Sequence, residues 1–93
     1  MNAIVLYKIA EGKTRQDLMV VYPRHRARVD DFLAAGKIVS MGALAAPTTD
    51  GIGSFGIFTS KAAAEDFVAE DPFRREGCVG SYEIIEFVDV VER

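Results

Sequence analysis

Ala3-Ile4-Val5-Leu6-Tyr7 decides how the rest of the chain is read. The run is rich in β-formers and predicts a strand. Ile4 and Leu6 alternate with Val5 and Tyr7, so the strand is apolar on both faces. A half-solvated strand carries one polar face, so this one needs cover on each side. The far end of the chain repeats the pattern. Over Tyr82 to Val91, Ile84, Val88 and Val90 alternate with Ile85, Phe87 and Val91.

Between these two strands the periodicity changes twice. Glu11-Gly12-Lys13-Thr14 is a polar break, and a helical pattern follows from Arg15 to Ala35. Leu18, Tyr22, His25, Val29, Phe32 and Leu33 fall on one face of it, with Arg24, Arg28 and Asp31 on another. Pro23 predicts a kink or a fresh helix start there, and Gly36 ends the helix. Lys37 to Leu44 reads as a second strand, residues 46–51 as a loop, and Ser54 to Thr59 as a third strand. Ser60 caps a helix from Lys61 to Glu70 whose apolar face is Ala63, Ala64, Phe67 and Val68. Asp71-Pro72 opens a short helical turn that Gly77 closes. The order is β-α-β-β-α-β, an α+β chain of the split βαβ or ferredoxin-like kind. Two helices cover one face of a four-stranded antiparallel sheet. A second copy of the chain is the simplest cover for the other, so a homodimer is expected.

A chain of 93 residues makes a single domain, residues 1–93, with a thin core. It is 49% hydrophobic and 27% charged, unlike a disordered chain. A net charge of −3 argues against nucleic acid or an anionic membrane as partner. The opening residues lack the charged start and cleavage site of a secretory leader, and no segment is long enough to span a bilayer. The single Cys78 closes no internal disulfide and fits the reducing cytoplasm, the compartment expected here.

His25 is the only histidine. On the apolar stripe it is either a packed, hydrogen-bonded ring or a general base, since imidazole titrates near neutral pH. Asp71 is the best partner. It reads as the cap of the turn opened by Pro72, and a carboxylate has a second oxygen to orient an imidazole. Asp30 and Asp31 have the wrong spacing from His25 to share its face. Gly51, Gly53 and Gly56 match G-x-G-x-x-G but lead into a strand, not a helix, so they mark a hairpin. Arg24, Arg26, Arg28, Arg74 and Arg75 read as a solvated surface paired with acids, or as a clamp for a substrate carboxylate if one lies near His25. Cys78 has no neighbour in sequence that would activate it. One His and one Cys build no zinc site within the chain, and no metal or cofactor is expected. Tyr7 and Ser40 sit at strand positions where they line a pocket or pack.

Taken in order, His25, Gly36, Met41-Gly42-Ala43-Leu44, Asp71-Pro72-Phe73, Gly77, Tyr82 and Phe87 resemble the YCII-like family across nearly the whole chain. The resemblance implies a dimeric α+β barrel with a His-Asp pair as its active site, here His25 and Asp71. It also draws Gly42 and Phe73 into the site, with Arg24, Tyr7 and Ser40 as further substrate contacts. Members carry Gly-Pro-Leu where this chain has Gly-Ala-Leu, and Tyr22 stands where many have arginine. The chemistry implied is proton transfer on a small cyclic oxygenated compound, as in a dehydrochlorinase acting on a hydroxyhydroquinone or a muconolactone isomerase. The alternative is a non-catalytic dimer that binds a small ligand or serves as an accessory subunit.

Overall fold

The computed structural model describes residues 1–91. Its elements are β1 (Asn2–Ile9), α1 (Arg15–Ala34), β2 (Ile38–Ala43), β3 (Ile52–Phe58), α2 (Lys61–Glu70), α3 (Pro72–Arg75) and β4 (Val79–Phe87). The strands form one sheet in the order β2-β3-β1-β4, and every neighbouring pair is antiparallel. This is the ferredoxin-like arrangement.

Each helix begins where a side chain can take up a free backbone N–H. Thr14 caps α1 in a reciprocal box with Asp17, whose carboxylate accepts from the Thr14 amide at 2.8 Å. That amide holds the Asp17 carboxyl below its usual range. The sequence reading had treated Thr14 only as part of a polar break. Ser60 caps α2 as expected, its hydroxyl accepting from the Ala63 amide at 3.0 Å. Gly36 follows α1 with φ +71°, a conformation that suits glycine at a helix end.

The helix-facing side of the sheet is set by β1, where Ala3, Val5 and Tyr7 are buried. They stand opposite Phe58, Gly56 and Ser54 of β3. Phe58, Ala64, Phe67 and Val68 fill the space between sheet and helices, and Phe67 packs edge-on to Phe32. Gly56 has a steric reason to lack a side chain. A Cβ there would lie 2.9 Å from the Met41 methyl and 3.0 Å from the Phe58 ring.

α1 departs from the expected pattern in two ways. It runs unbroken through Pro23, so the fresh start, one of the two expectations there, is not met. Its buried line is Val21, His25 and Val29, four residues apart, while Tyr22 and Leu33 are exposed. The inward stripe is therefore one residue away from that read at its first half. Arg28, expected on a solvated face, instead reaches α2 and donates to the carbonyls of Asp66 and Phe67 at 2.6 and 3.2 Å.

β4 also differs from the expected range of Tyr82 to Val91. It starts at Val79 because β1 continues to Ile9 and offers a partner there. It stops at Phe87, whose register partner is Asn2, the first residue of β1. Val88, Val90 and Val91 lie beyond the ladder and are exposed. The sheet's other face carries Ile4, Leu6, Phe55, Ile57, Ile85 and Phe87, which no helix covers. No helix among the described residues is long and apolar enough to cross a membrane.

The two kinds of apolar residue on the helices predict different losses. Phe67→Ala, at a fully buried position, should lower unfolding free energy by about 3–5 kcal/mol in a urea titration. Leu33→Ser, at an exposed one, should change it by less than about 0.5 kcal/mol. Equal losses would show that the inward face of α1 is misassigned.

Candidate active site

Asp71 stands at the junction of α2 and α3 and is fully buried. The Asp-Pro sequence explains its position, since Pro72 fits the first helical turn and Asp71 caps it. Its Oδ1 accepts the Phe73 amide at 3.2 Å. The same oxygen lies 2.7 Å from Nδ1 of His25, which α1 directs inward from its buried line. Asp71 thus does both jobs that the sequence allowed, and does them with one oxygen.

The other oxygen has a different partner. The Tyr7 hydroxyl donates to Oδ2 at 2.7 Å. Of the two expectations for Tyr7, lining a pocket or packing, its burial in the core fits the second, and neither included this bond. A signal was present: Tyr7 shares strand parity with Ala3 and Val5, and a buried phenol needs a hydrogen-bond partner. Burial, and then the charge of Asp71, push the Tyr7 phenol well above its ordinary range. It therefore stays protonated and acts as a donor.

These bonds assign the protons. A carboxylate is acceptor-only, so Nδ1 of His25 carries the proton directed at Asp71. In the neutral ring Nε2 then holds the lone pair. Nε2 has no hydrogen-bond partner among the described residues, yet no unpaired side-chain nitrogen or oxygen is sealed from solvent. It therefore keeps at least a small accessible area, within a side chain that is 10% exposed. The ring is fixed by stacking on Phe73, with centroids 4.1 Å apart, and by the edge of Phe67 at 5.8 Å. An oriented imidazole with one nitrogen free is a proton acceptor poised for use.

The remaining sequence candidates divide. Phe73 belongs to the cluster through its ring and its amide. Arg24 is on the surface, where it pairs with Glu76 at 3.3 Å. Ser40 and Gly42 stand opposite Ile57 and Phe55, on the uncovered face of the sheet and away from His25. Asp30 is occupied by Arg26 at 2.9 Å on the exposed side of α1. Cys78 is buried, and burial pushes its thiol up, which opposes thiolate chemistry. No group of three metal-ligating side chains occurs among the described residues.

The model of the YCII-related domain family matches residues 1–88. The chain belongs to the YCII-related family. Among solved structures it resembles 5-chloro-2-hydroxyhydroquinone dehydrochlorinase from Burkholderia phenoliruptrix AC1100, in complex with 2,5-dihydroxybenzoquinone. The TM-score is 0.73 at 25% identity, covering 95% of this chain and 94% of that one. Rv0793 from Mycobacterium tuberculosis shares the fold with a TM-score of 0.61 at 13% identity, over 98% of both chains. The hydroxynitrile lyase from Passiflora edulis shares it at 0.52 and 14% identity, over 99% and 95%. No curated protein matches the sequence. Across so wide a spread of relatives, this YCII-related chain must be judged by its own side chains.

Tyr7→Phe tests the donor assignment. At pH 7 it should cost about 1–3 kcal/mol, because a buried carboxylate oxygen loses its partner. The pH dependence has a definite sign. Below the ordinary phenol value of 10.0 both folded and unfolded chains keep the Tyr7 proton, and its contribution is constant. Above it only the folded chain does, so wild-type stability falls through this group by about 1.4 kcal/mol per pH unit. The gap between wild type and Tyr7→Phe in urea titrations should therefore narrow above pH 10. A gap that holds constant to about pH 12 would show that the phenol is not held protonated.

Proposed function

We propose that this YCII-related chain is a cofactor-free lyase or isomerase that moves a proton on a small cyclic oxygenated compound, hydroxy-aromatic or lactone-like. The observation that carries the reading is the unbonded Nε2 of an imidazole held through Nδ1 by buried Asp71. Nε2 takes a proton from a substrate carbon or hydroxyl, and the imidazolium that forms is stabilised by the carboxylate. In an elimination the electron pair left by that proton becomes the new π bond as chloride departs. In an isomerisation the imidazolium returns the proton to a different atom. Support for the substrate class comes from the dehydrochlorinase neighbour, whose bound 2,5-dihydroxybenzoquinone is a small oxygenated ring.

A homodimer is part of this reading. Two copies would bury the uncovered sheet faces against each other, with Ile4, Leu6, Phe55 and Ile57 at the centre. Ser40 and Gly42 would then line the space between the sheets and serve as substrate contacts there.

One observation favours the alternative of a non-catalytic binding module. Two surface hollows are lined from α2, α3 and β4, and His25 lines neither. One experiment separates the readings. Wild type and His25→Gln are incubated with a panel of chlorinated hydroxyhydroquinones and unsaturated lactones, and product is followed by absorbance. Turnover should fall by about 10²–10⁴-fold in His25→Gln. Equal rates in the two proteins would reject the catalytic role and leave the binding module. For the assembly, sedimentation should give twice the chain mass for wild type and the single mass for Phe55→Glu. A wild-type monomer at micromolar concentration would rule out the face-to-face dimer.

A further inference from the structure

β4 is an edge strand, and α2 and α3 cover its helix-facing side only in part. Two hollows lie there side by side. The larger, about 540 Å³, is lined by Arg74, Val79, Gly80, Ser81 and Tyr82. The smaller, about 250 Å³, shares Arg74 and Tyr82 with it and is otherwise lined by Glu65 and apolar side chains. Together they form one groove with Arg74 and Tyr82 at its waist.

Arg74 is unlike its neighbours. Arg75 pairs with Glu70, and Arg24 with Glu76. Arg74 has no carboxylate partner among the described residues. Its guanidinium lies over the Tyr82 ring instead, 5.4 Å from the centroid. That cation–π contact holds the guanidinium near the ring, and its N–H donors have no carboxylate partner among the described residues. A planar guanidinium edge suits a planar anion with two oxygens, which it binds through paired hydrogen bonds. Tyr82 and Val79 offer apolar surface beside it for a flat ring. Alternate backbone groups of an edge strand also face outward without partners. The one acid in the groove, Glu65, lines the smaller hollow and not the larger.

We propose that the larger hollow is a binding site for a small planar aromatic or quinonoid anion, with Arg74 holding the charge and Tyr82 flanking the ring. The assignment uses no property of His25 and stands whether or not the imidazole is catalytic. It also places the ligand one contact from the buried cluster, because Tyr82 meets Tyr7 edge-on at 6.4 Å.

The test uses the full-length chain, isotope-labelled, titrated with benzoate in low salt and followed by amide and arginine Nε resonances. Benzyl alcohol, the same ring without the charge, is the control. Benzoate should shift Arg74 Nε and the amides of Gly80, Ser81 and Tyr82 with saturation. Arg74→Gln, at an exposed position, should weaken binding by about tenfold. Raising the salt to about 1 M should also weaken it, by screening. The proposal is overturned if benzyl alcohol produces the same shifts, if Arg74→Gln leaves the affinity unchanged, or if saturating shifts map to the uncovered sheet face or to α1.

Discussion

A carboxylate with no access to water is stable as an anion only when donors replace the water it has lost. Asp71 meets that condition with the Tyr7 hydroxyl, the Phe73 amide and Nδ1 of His25. These donors come from β1, α3 and α1. The one buried charge in the core therefore ties the first strand, the first helix and the second half of the chain to a single point. Removing the Tyr7 hydroxyl leaves Oδ2 without a partner, whereas Oδ1 keeps one donor if either of its two is lost.

The same constraint sets the proton positions around the imidazole. Because Tyr7 is held protonated, it cannot compete with His25 as an acceptor. Because the Nδ1 proton is directed at Asp71, the lone pair of the neutral ring lies on Nε2. The phenol and carboxylate thus act on the imidazole without touching anything it would act upon. Phe73 contributes twice, its amide to Asp71 and its ring to the stacking that fixes the imidazole plane.

Much of this was legible from the residues, and the failures have physical causes. The order of strands and helices followed from apolar periodicity, and the Ser60 cap and the Asp-Pro turn from local hydrogen-bonding rules. The end of β4 was not legible, because Val88, Val90 and Val91 have every local property of a strand. What they lack is a partner, and that depends on where β1 begins. The inward line of α1 was misplaced by one residue because Tyr22 and Val21 are both apolar enough to face inward. Packing chose the smaller one. His25 and Asp71 could be paired by resemblance, but the role of Tyr7 could not. A bond between residues 64 positions apart depends on the meeting of β1 with the α2–α3 junction.

Oδ1 of Asp71 is at once the cap of a four-residue helix and the acceptor for the imidazole. Helix capping is ordinarily a local matter that can fray and re-form without wider effect. Here an excursion that unwinds the start of α3 also withdraws the atom that selects the ring's tautomer. The integrity of one turn of backbone and the tautomer of a side chain 46 residues earlier are therefore set at a single atom.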